Sequence, residues 1–170
     1  MQGIAEFHKV SFDQFLQDSK TCGMVSDETP DEIVKAIWER IKCPQRATEG
    51  SAGYDFYAPY PYCIQDGGTI TMPTGIRADI QPGWCLVLVP RSSLGFMYGM
   101  RLENSLGIID ADYFYVENEG HILVRFSVSS NYSMVDGAKF VQGIFLPHGI
   151  TRSDCTHGVR SGGFGSTGVV

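Results

Sequence analysis

Two periods of apolar residues divide the chain. Up to about residue 43 they recur at helical spacing. Ser11 precedes Phe12, Phe15 and Leu16, apolar at i, i+3 and i+4 behind an N-cap residue, which predicts a short helix. A second helix is predicted over about 30–42. There Thr29 stands as N-cap, Pro30 takes the first helical position, Glu32 completes a capping box, and Ile33, Ala36, Ile37 and Ile41 form one stripe. Cys43-Pro44 should end it, because a proline disfavours helical backbone in the residue before it.

From residue 50 the period falls to two. Trp84 to Val89 reads as a continuous apolar strand, and Ile122, Val124, Phe126 and Val128 share one face of another. Thr69 to Met72, Ile76 to Ile80 and Phe140 to Leu146 complete a set of short strands, separated by Asp66-Gly67-Gly68, Gln81-Pro82-Gly83 and Asp136-Gly137. Short strands, Gly-rich turns and almost no helical pattern predict a mainly β sandwich or barrel.

Composition narrows the function classes. With 170 residues, 43% of them hydrophobic, the chain should fold as one unit. A net charge of −6 with no basic cluster argues against nucleic acid as a partner. No apolar run reaches the 18 or so residues a membrane span needs. Five cysteines, an odd number without C-x-x-C, indicate neither a disulfide framework nor a zinc site. Reduced thiols and the absence of a leader pattern make a cytoplasmic location the expectation. His8, His121, His148 and His157 lack ligand spacing and read as surface or core residues. Glycine is in excess: eighteen of the 20 lie from residue 50 onward.

Five glycine-containing segments in the β region carry candidate chemistry. They are Gly50 to Asp55, Pro90-Arg91-Ser92-Ser93-Leu94-Gly95, Asn104 to Tyr113, Gly137 to Gln142, and the tail Arg160 to Gly168. Arg91 with two hydroxyls at a strand end is equipment for gripping phosphate oxygens, though an ordinary polar turn looks the same. The tail adds Phe164 to stack on a ring and Arg160 for anionic groups, where a frayed terminus would need neither. Asp110 closes the apolar run Leu106 to Ile109, so its carboxylate could act as a general base on water or merely close a turn.

In this order and at these separations the five segments resemble the five motifs of the homotrimeric dUTP pyrophosphatases (dUTPases), over roughly residues 44–168. The resemblance implies a jelly-roll-like β-barrel (44–158), preceded by a helical N-terminal extension (1–43) and followed by a flexible Gly-rich lid (159–170). It implies Mg²⁺-dependent hydrolysis of dUTP to dUMP and pyrophosphate, limiting uracil incorporation into DNA and supplying dUMP for thymidylate synthesis. Asp110 would then deprotonate the attacking water, and Tyr113 would pack on the deoxyribose. Asn104, Gly107 and Ile109 would read uracil, while Arg91, Ser92, Ser93 and Gln142 would hold phosphates. The tail would contribute Arg160 to the phosphates, Phe164 to the base, and Gly165, Ser166 and Thr167. No residue would bind metal directly; Mg²⁺ would sit mainly on the substrate phosphates, with Asp55 nearby through water. Three chains would assemble, each active site being built from more than one of them.

The chain departs from the motif pattern in four places. Phe114 to Glu119 lengthens motif three, Ala138 replaces the usual acidic residue beside Lys139, Arg160 stands one residue nearer to Phe164, and residues 1–43 are additional. A dCTP deaminase-type enzyme, with Glu117 or Glu119 as proton shuttle, is the nearest alternative. A nucleotide-binding regulator acting through a protein partner is another, although Asp110 is retained.

Overall fold

A computed structural model describes residues 3–158 and residue 160. The chain begins with β1 (Ala5–Lys9), α1 (Phe12–Thr21) and α2 (Asp31–Arg40), then runs through β2 (Gln45–Arg46), β3 (Tyr54–Tyr57), β4 (Tyr62–Ile64), β5 (Thr69–Pro73) and β6 (Ile76–Ile80). It continues with β7 (Trp84–Pro90), α3 (Ser92–Tyr98), β8 (Arg101–Leu102), β9 (Gly107–Asp110), a 3-10 turn (Ala111–Tyr115), β10 (Leu123–Ser127), β11 (Tyr132–Met134) and β12 (Lys139–Pro147). The strands foreseen from alternation are all present, so the fold is mainly β.

The largest sheet has the order β2-β3-β12-β7-β9, and a second has the order β5-β10-β8. The pairs β1-β6 and β11-β4 form two-stranded ribbons among the described residues. All pairings are antiparallel. In the large sheet Leu86 and Leu88 point to a core shared with Phe56, Phe126 and Phe140. Gly143 of β12 makes room for them: a Cβ there would lie 2.7 Å from Leu86 and 3.0 Å from Phe56.

The first helix forms as its pattern dictates, with the Ser11 side chain accepting a hydrogen bond from the Gln14 amide. The second begins differently. Its N-cap is Pro30 and no side chain caps it, because the Thr29 hydroxyl is turned back to the Ser26 amide at 3.1 Å. The sequence pattern misses several elements, among them β1, α3 and the short strands β2, β3, β4, β8 and β11. Strand β1 pairs along β6 from Ala5↔Ile80 to Lys9↔Ile76. Helix α3 buries only Leu94, leaving Phe96 and Met97 exposed, so it has no apolar stripe to read.

The helices of the N-terminal segment pack into the same core as the strands. Val10, Phe15 and Val34 are fully buried within that cluster. Phe15 stacks on Tyr60 at 5.8 Å and lies 6.2 Å from the ring of His121. Asp18 of α1 meets Nδ1 of His121 at 2.5 Å, and the Gly75 amide donates to His121 Nε2 at 2.7 Å. With Nε2 accepting, the imidazole is the neutral Nδ1–H tautomer donating to Asp18.

Candidate active site

Two clusters assemble the sequence-predicted residues. The first forms where β3, β7 and β12 run side by side. Asp55 of β3 is 6% exposed and lies between Arg91 Nε at 3.3 Å and Lys139 Nζ at 2.8 Å. Three of the segments are thereby joined through one buried carboxylate. Lys139, which lacks an acidic neighbour at Ala138, takes its counter-charge from Asp55 instead. Asp55, expected near the triphosphate through metal-bound water, has its charge met by these two cations.

Gln142 sits in register between Asp55 and Val89. A Cβ at Gly53 would come within 2.5 Å of its Oε1, so a side chain there would make the Gln142 amide swing aside. Arg91 is anchored through its own amide, which donates to the Phe140 carbonyl at 3.2 Å, and serves as N-cap of α3. Ser92 and Ser93 follow it, exposed on the first turn of that helix rather than on a strand end. Hydroxyls and a guanidinium thus gather where the Ser92 and Ser93 amides open the helix, a setting that suits anionic oxygens.

The second cluster forms along β9. A tight turn at Asn104 and Ser105, with Ser105 at φ 64°, is closed by the Leu106 amide donating to the Asn104 carbonyl at 2.7 Å. It bridges the two main sheets, since β8 pairs with β10 and β9 with β7. Beside it opens a cavity of about 270 Å³, mostly apolar, lined by Asn104, Gly107, Leu88 and Leu102 among others. Gly107 packs closely here: a Cβ would lie 3.1 Å from that of Leu88, which would have to give by a few tenths of an ångström. Ile109 is buried opposite Leu86, which fixes the strand and projects Asp110 to solvent at its end.

Asp110 and Asp112 flank the start of the 3-10 turn, and both meet Arg160: Nη1 lies 2.8 Å from Asp110 Oδ2 and 3.1 Å from Asp112 Oδ1. The arginine expected on phosphates therefore rests on carboxylates, the strongest negative pair within its reach. Its guanidinium carbon is 5.3 Å from the centroid of the Tyr113 ring. Tyr113 is 4% exposed; burial pushes its phenol upward, and its hydroxyl donates to the His121 carbonyl at 2.9 Å. Phe164, Gly165, Ser166 and Thr167 lie outside the described residues.

Asp110 and Arg91 are far apart within one chain. Asp110 pairs with Cys85 at the start of β7, whereas Arg91 follows Pro90 at its end. Six residues of extended strand separate them by about 20 Å.

The family model for dUTPase matches residues 39–168. This chain belongs to the dUTPase family. It is 38% identical to a deoxyuridine 5′-triphosphate nucleotidohydrolase of Lactococcus lactis over 134 residues, covering 76% of this chain and 89% of that one. To the protein of the same name from Hahella chejuensis it is 34% identical over 149 residues, covering 79% and 92%. The crystal structure of a dUTPase from Streptococcus mutans superimposes with a TM-score of 0.59 at 32% identity, over 76% of this chain and 96% of that one. A dUTPase from phage phi11 of S. aureus reaches the same TM-score at 16% identity and so shares the fold alone. The dUTPase match begins at residue 39, so β1, α1 and most of α2 precede it.

Among the described residues no group of three or more His, Cys, Asp or Glu side chains forms a metal site. No helix among those residues is long and apolar enough to cross a membrane. Sequence reasoning did not find Asn118, whose side-chain amide donates to the Tyr113 hydroxyl at 3.0 Å. No local pattern marks it.

Proposed function

We propose that the protein hydrolyses dUTP to dUMP and pyrophosphate, in a homotrimer whose active sites are shared between chains. Membership of the dUTPase family supports the reaction, and the separation of Asp110 from Arg91 along β7 supports the sharing. One chain presents its candidate base, Asp110, at one end of β7 and its cationic grip at the other, so a single nucleotide needs the two from different copies. Exposed Phe96, Met97, Ile108 and Tyr115 supply apolar surface for such contacts.

In this reading Asp110 accepts a proton from water, and the resulting hydroxide oxygen bonds to the α-phosphorus. The bridging oxygen between α and β leaves with pyrophosphate. Arg91, Ser92, Ser93 and Gln142 hold the phosphates; Lys139 and Arg91 keep their orientation through Asp55. Asn104, Gly107 and Ile109 line the uracil side, where an apolar cavity closed by backbone favours a small planar base. Tyr113 abuts the deoxyribose. From the tail come Arg160, exchanging its carboxylates for phosphate, with Phe164, Gly165, Ser166 and Thr167. Mg²⁺ on the phosphates supplies neutralisation of their charge. The cellular role we assign is limiting uracil in DNA and supplying dUMP, in the reducing cytoplasm that five free thiols suit.

The test is a substrate panel of dUTP, dTTP, dCTP and UTP with Mg²⁺ and products identified. Only dUTP should yield monophosphate and pyrophosphate efficiently, and ammonia from dCTP would favour a deaminase. Asp110→Asn should retain dUTP binding while losing about 10²- to 10⁴-fold in kcat. Near-normal turnover would refute the assignment, and a fully active monomer in light scattering would refute the shared site.

A further inference from the structure

The residues between the candidate catalytic turn and β10 pack as a brace against the Tyr113 side chain. We propose that Asn118 is a positioning residue which fixes the depth of the Tyr113 ring and thereby sharpens rejection of a 2′-hydroxyl. The proposal rests on the reading that Tyr113 abuts the sugar.

The Tyr113 hydroxyl is held from two sides. It donates to the His121 carbonyl at 2.9 Å and accepts from Asn118 Nδ2 at 3.0 Å. The amide of Asn118 is itself oriented, because its Oδ1 accepts from the Gly120 N–H at 3.2 Å. That turn is tight: Gly120 has φ 70°, and a Cβ there would lie 2.5 Å from the Tyr113 carbonyl oxygen.

Outer contacts keep the brace from yielding. Glu119, at an unfavourable φ of 57°, clasps Ser11 through its amide at 2.8 Å and its hydroxyl at 2.6 Å. Arg77 lies over the Phe114 ring at 3.6 Å, donates to the Phe114 carbonyl at 2.6 Å and faces Glu119 at 3.8 Å. The other partner of the hydroxyl belongs to His121, which Asp18 and Gly75 pin. Both partners of the hydroxyl are therefore tied to α1, β6 and the loop before it. Steric rejection of one oxygen atom depends on tenths of an ångström, so a ring free to retreat would admit the ribose.

The experiment measures kcat/KM for dUTP and UTP and follows their ratio. A merely structural defect scales both substrates by the folded fraction and leaves the ratio unchanged. Asn118→Ala should lower the ratio about threefold to tenfold, the worth of one hydrogen bond. Tyr113→Phe, which keeps the ring and deletes the hydroxyl with both of its bonds, should lower it at least as far. The double variant should be no worse than Tyr113→Phe alone, since deleting the hydroxyl already removes the Asn118 bond along with the one to His121. Asn118→Asp keeps the acceptor for Gly120 but not the amide donor, and should behave as Asn118→Ala. An unchanged ratio in Asn118→Ala, a wild-type ratio in Asn118→Asp, or full additivity in the double variant would each overturn the proposal. Should Asn118→Ala not fold, an unchanged ratio in Tyr113→Phe does so. Tyr113→Ala separates the two readings: if it keeps the discrimination, the sugar contact is wrong; if it alone loses it, only the role of Asn118 is.

Discussion

Phe15→Ala measures how far the N-terminal segment belongs to the core of the β domain. Phe15 is 0% exposed on α1 and stacks on Tyr60 with an interplanar angle of 9°. Truncation removes an aromatic side chain whose burial is worth about 1.5–3 kcal/mol and leaves a cavity that Tyr60, His121 and Gly75, all held by other bonds, cannot collapse to fill. Transfer and cavity together predict a loss of about 3–5 kcal/mol. At about 2–4 °C per kcal/mol for a chain of this size, the melting temperature should fall on the order of 10 °C. Urea unfolding at fixed protomer concentration is the assay, because assembly makes stability depend on concentration. Ile33→Ala, on the exposed face of α2 at 53% exposure, is the control and should change stability by less than about 0.5 kcal/mol. A loss below about 1 kcal/mol for Phe15→Ala would show α1 to be an appendage and refute this packing argument.

Two further outcomes follow from titrating groups. Burial raises the Glu119 carboxyl, but the Ser11 hydroxyl and amide, with Arg77 beyond them, pull it below its ordinary value on balance. A depressed carboxyl stabilises the fold above its unfolded value of about 4.3 and loses that stabilisation as pH falls through the folded value. The gap in melting temperature between wild type and Glu119→Gln should therefore be full at pH 6 and close towards pH 3; a gap that widens on acidification would contradict the clasp. Burial, followed by the nearby Asp18, pushes the Cys22 thiol up to about 11. At pH 8 a thiol reagent should therefore label exposed Cys63 and Cys155 well before Cys22, as mapped by peptide mass spectrometry; equal rates would refute it.

Much of this protein is legible one segment at a time. Alternation over Ile122 to Val128 and the apolar run Trp84 to Val89 specify strands because a pleated backbone sends successive side chains to opposite faces. Ser11 specifies a helix start because its hydroxyl reaches an amide three residues on. The order of the five motifs carries the family, since each needs glycine, charge or hydroxyl at fixed local spacing. Tertiary structure alone decided what those segments do to one another. Asp55 lies 36 residues from Arg91 and 84 from Lys139, and only the pairing of β3, β12 and β7 makes it their common counter-ion. The helix pattern of Phe12, Phe15 and Leu16 says that one face is buried but not against what; the answer, Tyr60 and His121, comes from the β region far along the chain. Asn118 looks like any polar loop residue until the turn at Gly120 aims its amide at Tyr113. Hydrophobic period and capping act within a few residues and are written locally, whereas counter-charges and hydrogen-bond partners are set by which strands lie side by side.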